Sequence, residues 1–186
     1  MNSPLRRILI AGLFVACAAL PVAQASAAQP EAPSVPDKIQ VGAGHKVFLV
    51  GHAVGVQIYT CTATAAGGHA WSGPAPRATL HDDHGRVIAT HFAGPSWRAK
   101  DSSTVVASRV RGVTVDPTAV QWLLLKRESA MPGPDGDRLT HTTFIQRIAT
   151  VGGLPPASAD CTAGTAGIAR EIPYTADYVF WKAKGD

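Results

Sequence analysis

The chain has 186 residues, 46% of them hydrophobic and 16% charged, which suits one domain with a real core and excludes a large multidomain enzyme. Setting aside Arg6 and Arg7, which sit in an N-terminal targeting segment, 15 basic residues face 13 acidic ones, a balance of +2. A nearly neutral chain with no Lys/Arg run and no interleaved aromatics excludes nucleic acid as a partner.

Arg6 and Arg7 precede the apolar run from Ile8 to Leu20, followed by Pro21 and the small residues up to Ala27. This is the three-part plan of a secretory signal, so residues 1–27 are expected to be cleaved. The 13-residue run is shorter than a spanning helix requires, so no transmembrane segment is expected after cleavage. Cys17 falls inside the run, but Phe14 fits a lipoprotein site poorly. The expected address is secreted or periplasmic. Residues 28–36 are rich in Pro and Ala and read as an extended leader, and residues 37–186 as a single β-rich domain. In an oxidising compartment the two remaining cysteines, Cys61 and Cys161, are expected to form a disulfide.

Within the domain the apolar pattern is short, of period two, and broken by turn residues. Val47–Val50 and Val54–Thr62 read as strands, the second with Gln57, Tyr59 and Cys61 on one face. Ala75–Leu80 and Val87–Phe92 flank the turn Asp82-Asp83-His84-Gly85 and predict a hairpin. Thr104–Val115 and Val120–Glu128 flank Asp116-Pro117, and Trp122-Leu123-Leu124-Leu125 predicts a strand buried on both sides. Leu139–Thr150 and Asp177–Trp181 complete the set, with room for a short helix near Ala157–Ala166. Eighteen glycines and 14 prolines disfavour long helices. The expected fold is therefore all-β: a single-domain antiparallel β-sandwich or barrel with long loops and little helix.

The segments GHAVGVQIYTC (51–61), THFAGPSW (90–97), WLLLK (122–126), IQRIATVGGLPP (145–156) and PYTADYVFW (173–181) together resemble the family catalogued as domain of unknown function 3455. Its members look like small secreted proteins of bacteria and filamentous fungi. The resemblance spans the mature chain and implies no activity. One departure is Asp101-Ser102-Ser103, where the family is expected to carry Asp-Gly-Ser. Ser102 must then avoid a left-handed turn or bear its strain.

The densest polar constellation is His91 with Ser96 and Trp97, brought to one rim by Gly94-Pro95, and with Asp101 following. His91 reads as a general base or a ligand donor and Trp97 as an exposed stacking wall, or else the imidazole ties down a loop carbonyl. The structural alternative is favoured, because one histidine is not a mechanism. Gln57, Tyr59 and His52 are further candidates for lining a pocket. Gln146 and Arg147 must face opposite ways, so at most one of them points into a given site. His81 and His84 are weak metal candidates without a helix to align them, so no metal and no cofactor is expected. Trp71 and Trp97 read as exposed and Trp122 as core.

These residues form no complete catalytic motif. The expected function is non-enzymatic binding of a small molecule, glycan or surface component, and the alternative is an extracytoplasmic hydrolase or metal-assisted enzyme using His91 and Asp101. Oligomeric state is not readable from one chain.

Overall fold

The computed structural model describes residues 30–186. The expected signal segment, with Cys17, lies outside the described residues. Eight antiparallel strands follow one another in chain order: β1 (His45–Ala63), β2 (His69–His81), β3 (Val87–Phe92), β4 (Ser96–Ala99), β5 (Thr104–Val113), β6 (Trp122–Met131), β7 (Phe144–Gly152) and β8 (Ala169–Ala183). Each pairs with its sequence neighbour, and β8 pairs with β1, so the sheet closes into a barrel. Of the two architectures that the period-two pattern allowed, the barrel is the one formed, because the long β1 and β8 pair from His45↔Ala183 to Thr60↔Ala169. Among the described residues the helical content is three single turns of 3-10 helix, at Asp37–Ile39, Ser158–Asp160 and Ala163–Thr165. The last two occupy the stretch where a short helix was expected.

Two expected strand boundaries are corrected. Val47–Val50 and Val54–Thr62 form one continuous strand, β1. Gly51 and Gly55 do not break it, because they let neighbouring strands approach closely. A Cβ at Gly55 would lie 2.2 Å from the Arg77 carbonyl oxygen, and one at Gly51 would lie 2.8 Å from Leu80 Cδ2. Likewise β8 starts at Ala169 rather than after Pro173. Pro173 pairs with Val56 of β1, beyond the last residue that β7 contributes, Gly152 opposite Tyr174. A proline lacks a ladder donor and is tolerated where a strand has a partner on one side only.

The barrel interior is filled by alternating large and small side chains. Leu80 on β2 faces Ala53 of β1 and Ala89 of β3, while Trp97, Tyr178 and Phe180 supply the bulk. On β6, Leu123 and Leu125 point inward. Leu124 and Trp122 point outward into a second apolar cluster with Ile148, Val179 and Trp181, so the strand is buried on both faces as expected. The outer cluster is covered by the segment before β1, which includes Val35, Ile39 and Val41. Gln146 anchors that cover by donating to the Ile39 carbonyl at 2.7 Å and accepting from the Trp181 indole at 2.9 Å. Residues 30–36 carry no regular secondary structure, yet Val35 already packs on the barrel wall.

One end of the barrel is closed by the β6–β7 loop. Leu139 is buried there, with its backbone N–H donating to Ser103 Oγ. At the other end the β7–β8 connection is tied to the end of β1 by the disulfide Cys61–Cys161, which links residues 100 apart in sequence. A loop of this length corresponds in the chain-entropy model to at most about 4.7 kcal/mol of stabilisation.

Candidate functional site

The site lies inside the end of the barrel framed by the β1–β2, β3–β4, β5–β6 and β7–β8 connections. A cavity of about 230 Å³ is lined there by Gln57, His91, Trp97, Tyr178, Arg109 and Arg147, with Leu123, Leu125 and three prolines completing its walls. Every lining strand contributes through alternation. Gln57 shares the inward face of β1 with Tyr59, as expected, and both are buried. Arg147 points in and Gln146 out, which is the opposition required of adjacent strand residues.

His91 and Trp97 are directly opposite on β3 and β4. Their rings stack, with centroids 4.3 Å apart, and Tyr178 leans on both. The imidazole Nδ1 lies 2.9 Å from the Ser96 carbonyl oxygen. A carbonyl can only accept, so Nδ1 carries the proton and Nε2 of the neutral ring is left as an acceptor. Burial lowers the His91 pKa to about 4, against the hydrogen bond to Ser96, which raises it, and with a smaller lowering from the Arg147 charge. His91 therefore presents a neutral imidazole at physiological pH.

Trp97 was expected to be an exposed wall and is instead completely buried. Its strand alternates inward toward the barrel axis, so the indole is part of the core as well as of the cavity. Its Nε1 has no hydrogen-bond partner among the described residues, and the same holds for both amide atoms of Gln57. Buried polar groups are nearly always paired, and an unpaired one costs about 1–3 kcal/mol, so two such residues on one cavity wall are exceptional.

The remaining sequence candidates fall elsewhere. Asp101 lies in the β4–β5 turn at the opposite end of the barrel. Its carboxylate accepts from the Ser103 N–H and Oγ–H and from the Arg138 N–H. It does not meet His91. Ser96 serves through its carbonyl, while its hydroxyl donates to the Gly94 carbonyl. Tyr59 has its hydroxyl committed to the Gly153 carbonyl at 2.8 Å. His52 is on the outer surface between two carboxylates, Asp177 at 2.7 Å and Asp83 at 2.8 Å. The hydrogen bond donated to Asp83, then that donated to Asp177, raises its pKa. His81 and His84 join no cluster, since among the described residues no three His, Cys, Asp or Glu side chains gather as a metal site would require. Trp71 is half-buried and donates to the Ala157 carbonyl.

A family model described as a protein of unknown function (DUF3455) matches residues 42–182. The chain belongs to this family. The DUF3455 match runs from just before β1 to within one residue of the end of β8, so the whole cavity lies inside it. Comparison with curated proteins and with solved structures yields no match.

Two site residues of this DUF3455 chain escaped the sequence reading as a pair: Arg109 and Arg147. Arg147 Nε and Nη2 donate to the Gln121 backbone carbonyl at 3.1 and 2.9 Å, and Arg109 Nη2 donates to the Gln121 side-chain oxygen at 2.7 Å. Strand alternation marked Arg147 as one of two opposed choices. Nothing local marked Arg109, because its approach to Arg147 depends on the β5–β6 loop folding over the mouth.

Proposed function

We propose that the protein is a non-enzymatic, extracytoplasmic binder of a small molecule held in the mouth of the barrel. The observation that carries this reading is the set of unpaired buried polar atoms, the Gln57 amide and the Trp97 indole N–H, on two residues that line the cavity. Eight-stranded barrels are just wide enough inside for side chains or one small ligand, and a ligand with polar atoms gives these groups the partners they lack. A concave cavity in which the indole of Trp97 is buried suits a small molecule better than a glycan, which stacks on exposed aromatic platforms. The hydrolase reading has no comparable support, since the carboxylate of Asp101 is engaged at the far end of the barrel.

The extracytoplasmic address is supported by the disulfide and by the signal-like text of residues 1–27. Among the described residues no helix is long and apolar enough to cross a membrane.

The test is thermal unfolding of the mature protein against a panel of small metabolites, with Trp97→Phe in parallel. A ligand of the native state stabilises it by about 2.7 kcal/mol at a hundredfold excess over its Kd. Trp97→Phe keeps the aromatic packing and deletes the N–H, so the shift should shrink in the variant. A panel with no shift for the wild type would overturn the reading.

A further inference from the structure

We propose that the cavity takes a small planar carboxylate of about benzoate size, its charged end set against Arg147 and Arg109 and its apolar body against Trp97. The proposal rests on the small-molecule reading above and assigns that site a ligand class.

The charge of the lining carries the first part. Two guanidinium groups and no carboxylate line the cavity. The ion pairs of the described residues include neither Arg109 nor Arg147. Both arginines are instead held by neutral oxygens of a single residue, Gln121. Their positions are thus held without a carboxylate partner. Arg147 is half-buried, and burying part of a guanidinium without a counter-ion is costly, so an anion arriving at the mouth relieves that cost. The planar fork of arginine matches a carboxylate with paired hydrogen bonds, a geometry that a halide cannot exploit.

The shape and chemistry of the other walls carry the second part. Trp97, Leu123, Leu125, Pro74 and Pro76 form apolar surfaces around the remainder of the space. The volume of about 230 Å³ sets the size. Since an apolar cavity of about 150 Å³ accommodates benzene, one ring with a carboxylate fits this space.

Isothermal titration of the mature protein at low ionic strength with benzoate, benzamide and benzylamine tests this, because the three differ little in shape but carry negative, zero and positive charge. Benzoate is expected to bind at least about tenfold more tightly than benzamide, and benzylamine more weakly than either. Arg109 is exposed, so Arg109→Met should fold normally. It should bring benzoate to within about threefold of benzamide. Arg147→Met, with its fold checked by circular dichroism, should do the same. If benzamide or benzylamine binds the wild type as well as benzoate, the carboxylate assignment is overturned while the small-molecule reading stands. If none of the three binds, the assignment is overturned, and only a blank metabolite panel removes the broader reading with it.

Discussion

The imidazole of His91 lies flat on the indole of Trp97, their planes 8° apart and their centroids 4.3 Å apart. The pairing follows from register, since the two residues face each other across β3 and β4 on the inward side. The Ser96 carbonyl fixes the ring's tautomer, and burial keeps it neutral. The cavity wall is therefore rigid and uncharged at this point, which leaves the arginines as its charged groups.

A histidine whose pKa drops from 6.5 to about 4 on folding binds protons more readily in the unfolded chain. Its contribution to stability is complete above about pH 6.5 and is lost as the pH falls toward 4, a change of up to about 3 kcal/mol. Urea unfolding at several pH values should show this loss in the wild type and a flatter profile in His91→Gln. A wild-type stability that does not fall across this window would contradict the buried neutral imidazole.

His52 should behave in the opposite sense. Its pKa is raised by Asp83 and Asp177, so its contribution is complete below about pH 6.5 and is lost as the pH rises through the folded value. Nuclear magnetic resonance titration should place its midpoint above 6.5, the ordinary value. Asp83→Asn and Asp177→Asn should each lower that midpoint, because both carboxylates accept hydrogen bonds from the ring. A midpoint that moves in neither variant would refute the double bridge.

Gln57 is buried with both amide atoms unpaired. Replacing it by methionine removes two unsatisfied groups at similar volume, so Gln57→Met is expected to be neutral or more stable by about 1 kcal/mol. The same variant should weaken ligand binding. Denaturant melts and titration on one sample separate the two effects, and a variant that is less stable by more than about 1 kcal/mol would show that the amide is satisfied in solution.

Ser102 takes the left-handed conformation, with φ of 66°, so of the two outcomes open to it, avoiding that turn or bearing its strain, it is the second that occurs. Ser102→Gly is expected to stabilise the protein by about 0.5–1 kcal/mol, the relieved strain exceeding the added freedom of the unfolded chain. Ser102→Ala serves as the control and should give no gain. If both variants melt alike, the turn is not strained.

Much of this was readable in the residues. Alternation put Gln57 and Tyr59 on one face and split Gln146 from Arg147, because period two assigns parity without any tertiary knowledge. The Asp82–Gly85 hairpin, the two-sided burial of Trp122–Leu125 and the Cys61–Cys161 bond also follow from local chemistry and composition. The exposure of Trp97 was misjudged because parity does not say which face is the inside. Asp101 was grouped with His91 on sequence proximity, yet β4 carries the chain to the other end of the barrel between them.

The amino-acid sequence by itself determined that this protein is an antiparallel β domain with one staple and a near-neutral charge balance. Those properties depend on neighbours a few residues away or on composition. Only the tertiary structure decided that β1 and β8 close the sheet, that Trp97 is interior, and that Arg109 and Arg147 meet at Gln121 beside the unpaired amide of Gln57. Each of these depends on pairing between strands distant along the chain, where register and curvature set the contacts, and no local pattern encodes the sum.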